Sequence, residues 1–172
     1  MTEIEAIADA GPLIHLDESG AAEALHHFRR ITVPTPVADE VRAMPRGPGT
    51  RLLRQRHLHV TRPSRDEQAA ADALPVRRLS GADRLVLAFA DARDAPVLTD
   101  DLDVRDAARA LGIRAIGSIG IILRAITTRL LPRAEGLAAL DALLEDSSMY
   151  VTRALIEQAK AAEQAALDKR RS

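Results

Sequence analysis

Short apolar runs alternate along the chain with longer segments in which apolar residues recur at helical spacing. Five of the short runs are bounded by turn-forming residues, which predicts five strands. They cover residues 4–8, 30–33, 58–61, 95–99 and 113–116. Strands that alternate with helices favour a mainly parallel sheet, joined by right-handed crossovers and covered on both faces. The pattern therefore predicts an α/β fold, a three-layer α/β/α sandwich with about five strands.

The segments between the strands carry helix signals. Ser64 forms a capping box with Glu67, and Ser80 is a second good N-cap. Helices or helical turns are predicted over residues 12–17, 21–28, 37–43, 51–56, 65–74, 83–92, 102–111, 119–128, 132–144 and 151–169. We divide the chain into a domain at residues 1–148 and a C-terminal helical extension at residues 149–172.

The C-terminal extension has small and apolar residues at helical spacing beside charged ones. They are Leu155, Ala159, Ala162 and Ala166. Such a stripe suits packing on another element. We expect it to pack on the domain, with a second subunit as the alternative.

The first predicted strand ends on an acidic residue. Asp9 follows the apolar run, and Ala10-Gly11-Pro12 then turns the chain. Pro12 is predicted to open a helix, because its missing N–H needs no partner there. In parallel sheets ligands bind beyond the carboxyl ends of the strands. Asp9 is therefore a candidate functional carboxylate, with helix capping as its structural alternative.

Other acidic residues occupy comparable positions. Asp100 and Asp101 directly follow the fourth strand, and Glu40 lies in the helix after the second. Asp83 lies at the start of a helix, where the helix dipole favours an anion. Taken singly, these residues have structural explanations as caps or solvated side chains. Their common placement at one edge of the sheet is less usual, because converging carboxylates repel one another unless a cation compensates.

Composition limits the class of protein and the kind of metal site. The 172 residues include no cysteine, which excludes disulfides and thiolate sites and fits a reducing compartment. No apolar run approaches the roughly 20 residues that a membrane span needs, and the N-terminus is too acidic for a signal peptide. We expect one cytoplasmic domain. Oxygen ligands without cysteine, and without histidine at ligand spacing, favour Mg²⁺ or Mn²⁺ over zinc. Such ions suit phosphodiester hydrolysis.

The net charge of −1 hides an uneven distribution. Residues 41–65 contain seven arginines and two histidines but no acidic residue. A basic stretch of this kind suits a polyanion. The alternative is a solvated segment with an arginine bias, since the chain has 22 arginines and only 2 lysines.

Several stretches resemble PIN-domain proteins, and the resemblance covers about residues 3–144. They read AIADAGPLIHL, ITVPTPVADEV, GADRLVLAFA and VLTDDLDVRDAARALGI. The tail RAIGSIGIILRAITTRLL is more similar to the PIN subgroup described only as predicted nucleic-acid-binding proteins than to typical VapC-type toxins. PIN domains are metal-dependent ribonucleases with three to four clustered acidic residues. Many are the toxin half of a bacterial toxin–antitoxin pair.

The resemblance implies site residues, a cofactor and partners. Asp9, Glu40, Asp83 and Asp101 match the acidic positions that bind metal and position a hydrolytic water. Asp100 or Asp103 would be an auxiliary metal ligand. The implied cofactor is Mg²⁺ or Mn²⁺, and the implied partners are RNA, a small antitoxin and a second copy of the chain. On this interpretation the residues that hold RNA phosphates are Arg51, Arg54 and Arg56.

Two positions depart from the family pattern. Many PIN proteins have Ser or Thr two residues after the first Asp, where this chain has Gly11. The most similar subgroup opens its central helix with a Gly-Glu pair, where this chain has Gly81 and Ala82. The alternative function is therefore a catalytically impaired PIN fold that binds RNA or protein. Gly11 also argues against a haloacid-dehalogenase phosphohydrolase, which needs a second Asp there. A receiver domain needs an acidic pair and a late Lys that this chain lacks.

Overall fold

A computed structural model describes residues 5–76 and 78–171; Ile4, which was predicted to begin the first strand, lies outside them. The described residues form one sheet of five strands, all paired in parallel in the order β3-β2-β1-β4-β5. The strands are β1 (Glu5–Ala8), β2 (Arg30–Pro34), β3 (Leu58–Thr61), β4 (Val97–Leu98) and β5 (Ala115–Ile116). The predicted fold class is confirmed.

The α-helices of the described residues lie where helical spacing predicts them. They are α1 (Ala10–Glu18), α2 (Thr35–Ala43), α3 (Arg65–Ala73), α4 (Gly81–Arg93), α5 (Leu102–Ala110), α6 (Ser118–Thr127), α7 (Arg133–Glu145) and α8 (Arg153–Arg171). Two segments predicted as helix or helical turn are 3-10 helices, at Ala22–His27 and Leu52–Arg54. The prediction that Pro12 opens the first helix is wrong by two residues. Asp9 caps α1, and Pro12 is its third residue, where an N–H has no intrahelical partner either.

β4 and β5 are shorter than the predicted strands, with two residues each. Pro96 cannot donate to the ladder, which therefore begins at Val97. Backbone hydrogen bonds continue the pairing on both sides. Ile7 N donates to Pro96 O at 2.9 Å, and Thr99 N donates to Ile116 O at 3.0 Å. Extended backbone thus reaches Thr99, as predicted.

The order of the strands places Asp9 at a special point of the sheet. The chain moves outward from β1 to β2 and β3, and then returns to the other side of β1 for β4 and β5. Right-handed crossovers in opposite directions put α1 and α2 on one face and α4 and α5 on the other. The connections that leave the carboxyl ends of β1 and β4 therefore run in opposite directions, which makes this a topological switch point, where open α/β sheets bind ligands.

The core lies between the sheet and both helix layers and is almost entirely aliphatic. Its largest fully buried side chains include Phe28 and Phe89, the two phenylalanines of the sequence. The aliphatic side chains that make up the rest of this core are typical of parallel sheets that are covered by helices on both faces. Among the described helices, none combines the length and the apolar character that crossing a membrane would require.

α8 packs on the domain, against α6 and α7. Ile156 and Ala159 are buried there, and buried Glu163 accepts a hydrogen bond of 2.8 Å from Arg133 Nε. Leu155, which was predicted in the packing stripe, is 45% exposed. Ala159 of the predicted stripe is part of this contact, whereas Ala162 is exposed, so the helix packs through a stripe that overlaps the predicted one only in part.

Gly49 offers a test of the loop that follows α2. Its φ is +77°, and a Cβ would lie 2.9 Å from Leu13 O. We expect Gly49→Ala to cost about 1–2 kcal/mol for the left-handed backbone, plus about 1–3 kcal/mol for displacing a packed neighbour. Gly20→Ala, at φ +75° with nothing within 4 Å of its Cβ, should show only the first effect. Urea unfolding measures both; equal losses would contradict the close contact with α1.

Candidate active site

A cleft of about 270 Å³ opens beyond the carboxyl ends of β1 and β4. It brings together five of the six predicted acidic residues. The cleft is lined by Asp9, Glu40, Asp83, Asp100 and Asp101, together with Gly11, His15, Met149 and Tyr150. Asp103, predicted as an auxiliary ligand, is exposed in the first turn of α5 and does not line it. The position of the cleft is the one that the switch point predicts.

Asp9 is both a helix cap and a wall of the cleft. The residue is 8% exposed, and its Oδ1 accepts a hydrogen bond of 2.7 Å from Ala10 N. Its Oδ2 accepts one of 2.8 Å from Thr99 Oγ1. Burial raises the pKa of Asp9 to about 6, and the charges of Asp83 and Glu40 add to the rise, while the two hydrogen bonds oppose it. The carboxylate is thus held in a site that disfavours its charge.

Asp83 and Glu40 complete the acidic group around Asp9. Asp83 caps α4 reciprocally, since its Oδ2 accepts from Ser80 N at 2.9 Å and its own N donates to Ser80 Oγ at 3.1 Å. Glu40 is exposed at the mouth of the cleft. Loss of water around its carboxyl raises the pKa of Glu40, and the Asp83 charge adds to this. Although Asp83 comes later than the family's Gly-Glu pair, it still faces the other acids.

Asp100 is committed to neighbouring side chains. Its Oδ1 accepts from Ser118 N at 2.7 Å, and its Oδ2 accepts from Ser118 Oγ at 2.6 Å. His15 Nδ1 lies 2.8 Å from the same Oδ2. With Nδ1 donating to Asp100, Nε2 is the ring nitrogen left for a ligand. A Cβ at Gly11 would lie 3.5 Å from both Asp100 Cβ and His15 Cε1, so this glycine borders the pair.

Thr99 joins the ends of the two strands. Its fully buried hydroxyl donates to Asp9 and accepts a hydrogen bond of 3.2 Å from Asp101 N. Asp101 in turn caps α5, because its Oδ1 accepts from Val104 N at 3.0 Å. The hydroxyl group of Thr99 therefore links Asp9, at the end of β1, to the backbone of Asp101, which follows β4.

Thr99→Val removes the hydroxyl group that favours ionised Asp9. Because a hydrogen bond to a charged group contributes about 1.5–3 kcal/mol, the pKa of Asp9 should rise by about one unit or more. Titration of the carboxyl carbon by NMR in metal-free protein measures this. Thr61→Val, whose hydroxyl donates to the His59 carbonyl, is the control. An unchanged Asp9 titration in Thr99→Val would contradict the role of this hydrogen bond.

The side chains of the cleft are of the type that binds a hard cation, but they lie too far apart in this structure to surround one. Within residues 5–76 and 78–171, no group of three or more His, Asp or Glu side chains is placed to hold a metal ion. Oxygen atoms without a protein donor in this part of the chain include both of Glu40, Oδ1 of Asp83 and Oδ2 of Asp101. Carboxylate oxygens are the ligands of Mg²⁺ and Mn²⁺. The residues therefore fit such an ion in kind.

The predicted phosphate-binding arginines lie away from the cleft. Arg51, Arg54 and Arg56 precede β3, at the amino-terminal edge of the sheet, whereas the acids follow the strands. Arg51 pairs with Asp17, its Nε donating to Oδ1 at 2.7 Å. Asp17 lies eight residues along α1 from Asp9, or about 12 Å at the rise of an α-helix. Phosphate binding by these arginines stays a prediction, at a place remote from the acids.

Sequence reasoning did not select five residues that line or support the cleft: Thr99, His15, Ser118, Met149 and Tyr150. Thr99 directly precedes Asp100 and Asp101 in the stretch VLTDDLDVRDAARALGI, so it comes nearest to having a sequence signal. His15 follows Gly11 by four residues on α1, so the two share a helix face. Ser118 and Tyr150 carry no local signal of this kind.

The comparisons with known proteins agree with this geometry. Residues 5–164 match the family model DUF3368, which describes a PIN domain. The match runs from β1 into α8 and includes every residue that lines the cleft. A comparison with curated proteins finds no match.

Proposed function

The chain belongs to the PIN-domain family, and from this premise we propose that it is a metal-dependent endoribonuclease that hydrolyses RNA phosphodiesters. PIN domains are nuclease-type folds that typically use divalent metal ions. The observation that carries the proposal is that Asp9, Glu40 and Asp83 line one cleft, where burial and neighbouring negative charge raise the pKa of Asp9 and of Glu40. No arginine or lysine is among the described residues that line this cleft. Such a group is stabilised by a cation.

The residues that line the cleft would have different roles in the reaction. The ion, Mg²⁺ or Mn²⁺, would be held by Asp9, Glu40, Asp83 and Asp101. Asp100 would be a weaker ligand, because its oxygens already accept hydrogen bonds from Ser118 and lie against His15. When bound, the ion supplies Lewis-acid chemistry at the scissile phosphate. Thr99 favours the ionised form of Asp9. His15 Nε2 would contact the bound RNA strand.

The biological setting that the resemblance supports is a toxin–antitoxin pair, in which this chain is the toxin. We propose that it acts as a homodimer and that a small antitoxin inhibits it. A short reading frame immediately upstream of its own is the observation to seek first. Co-expression of that small protein should suppress RNA cleavage by this chain. Light scattering should give about twice the chain mass of 18.6 kDa.

The decisive experiment for the proposed function is RNA cleavage with two neighbouring variants. Purified protein should cleave single-stranded RNA in Mn²⁺ or Mg²⁺, and excess chelator should abolish cleavage. Glu40→Gln should lower the rate by about 10-fold or more, a loss of 1.4 kcal/mol or more of transition-state stabilisation. Asp39→Asn should cleave normally, because Asp39 is 63% exposed, pairs with Arg42 and does not line the cleft. Chelator-resistant cleavage would contradict the proposal.

A second candidate function is an RNA- or protein-binding module without catalysis. The observation that favours it is the commitment of the acids to other bonds: Asp83 and Asp101 cap helices, and Asp100 is bonded to two side chains. Titration calorimetry with Mn²⁺ separates the two functions. The enzyme should bind the ion with a stoichiometry that Asp9→Asn reduces. An absence of binding at millimolar Mn²⁺ would favour the module.

A further inference from the structure

The linker between α7 and α8 is fixed to the helix that Asp9 caps. We call residues 146–152 the α7–α8 strap. Ser148 N and Ser148 Oγ donate to Oε2 of Glu18, at 2.7 and 2.8 Å. Ser147 Oγ donates to Leu143 O at 2.7 Å and accepts from Met149 N at 3.1 Å. These bonds tie the strap to the ends of α1 and α7.

The strap carries an aromatic side chain to the rim of the acidic cleft. Tyr150 and Met149 both line the cleft, and Tyr150 is fully exposed. The sequence has no tryptophan, and its two phenylalanines are buried. Tyr150 is therefore the one Phe, Tyr or Trp ring of this chain that is open to a ligand. The backbone of its neighbours Ser148 and Met149 is hydrogen-bonded, so binding would have to order the ring itself but not these neighbours.

We propose that Tyr150 is the platform on which one unpaired base of single-stranded RNA stacks, beside the phosphate that the acidic cleft receives. This inference rests on the proposed function and adds a nucleobase subsite to it. The face of a base is an uncharged π-system, so the carboxylates of the cleft do not repel it as they repel a free phosphate. Unpaired bases are available in single strands and loops but not inside a duplex. Tyr150 would therefore favour single-stranded over double-stranded substrate.

Intrinsic fluorescence tests the subsite directly, because Tyr150 is the single tyrosine and tryptophan is absent. The full-length Asp9→Asn variant in Mg²⁺ is used, because it retains Tyr150 and is expected to cleave the RNA too slowly to disturb the titration. Titration with a short single-stranded RNA should quench the tyrosine emission to saturation. An abasic strand of the same length, with the same phosphates, should leave the emission unchanged. Free N-acetyltyrosinamide in parallel corrects for absorption by RNA.

Variants of Tyr150 separate stacking from a structural role. Tyr150→Ala should weaken binding of single-stranded RNA by about 5- to 160-fold, the range for losing one stacked base. Tyr150→Phe should retain binding within about 2-fold, because it keeps the ring. Leu155→Ala, another exposed apolar side chain (45% exposed) on α8, should bind as wild type. In cleavage assays Tyr150→Ala should raise KM far more than it lowers kcat.

The outcomes distinguish this inference from the proposed function. If single-stranded RNA does not quench Tyr150, or if the abasic strand quenches it equally, the nucleobase subsite is overturned. If quenching fails in this way but Asp9→Asn still abolishes the cleavage seen with wild type, the nuclease proposal stands without the subsite. Conversely, base-dependent quenching without any metal-dependent cleavage would support the subsite in an RNA-binding module.

Discussion

Asp9→Asn is expected to reduce RNA cleavage by at least about 100-fold while leaving the fold intact. Asparagine has nearly the shape of aspartate, so it fits the same space. Its oxygen can accept from Ala10 N and its NH₂ group can donate to Thr99 Oγ1, although the O–H of Thr99 then loses Asp9 as its acceptor. What the variant lacks is the negative charge. A metal ligand supports several kcal/mol of transition-state stabilisation, and about 1.4 kcal/mol corresponds to each factor of ten in rate.

The measurement is single-turnover cleavage of a defined single-stranded RNA in Mn²⁺, with both proteins purified in parallel. Asp106→Asn is the matched control, because Asp106 is 70% exposed on α5 and pairs with Arg109. It should cleave at the wild-type rate. Circular dichroism should show the same helix content for all three proteins. Equal cleavage by Asp9→Asn and wild type would contradict the proposed catalytic role of Asp9.

The fold was predictable because its signals are local. Strand runs, the Ser64 capping box and the acidic residue at the end of each site-forming strand all follow from short stretches of sequence. Strand order is less local, yet the alternation of strands and helices restricts it to doubly wound arrangements. The strand order that was found puts the ends of β1 and β4 side by side, so Asp9 and Asp101 line one cleft. The prediction of converging acids therefore depended on topology more than on any single residue.

The bonds that fix the site were not predictable. Asp100 is bonded to His15, 85 residues earlier, and to Ser118, 18 residues later. No periodicity encodes such pairs, because they depend on how closely two helices approach the same strand end. Thr99 is similar, since its hydroxyl partner Asp9 is 90 residues away. Sequence motifs thus identify which acids are present but not which of them are already engaged.

The basic stretch shows a second kind of limit. Charge density along residues 41–65 indicates a possible anion site but says nothing about the edge of the sheet on which it lies. That edge is fixed by the direction of β3, which puts Arg54 and Arg56 before the strand and the acids beyond its parallel neighbours. Tyr150 illustrates the opposite case. A linker residue with no pattern around it reaches the cleft through the bond between Ser148 and Glu18.

In metal-free solution, the free energy of unfolding should fall as pH rises from about 4 to about 7, and Asp9 should account for a large share. The pKa of folded Asp9 is raised from 3.8 to about 6, mainly by burial. The folded state therefore binds this proton more tightly than the unfolded state does. The resulting stabilisation is complete below pH 3.8 and is lost as pH rises through 6. At 1.36 kcal/mol per unit, the loss is of the order of 3 kcal/mol.

Comparison with Asp9→Asn isolates this contribution, since asparagine does not titrate and Glu40 titrates in both proteins. In chelator, urea unfolding at pH 4.5 and pH 7.5 should show a smaller fall in stability for the variant, which should then exceed wild type at pH 7.5. Added Mn²⁺ should reverse the order, because binding to the folded state stabilises wild type by mass action. Parallel pH profiles for the two proteins would show that Asp9 titrates normally. A metal effect of equal size in both would show that Asp9 does not bind the ion. The same burial that disfavours the ionised carboxylate of Asp9 would strengthen its attraction to a bound divalent cation.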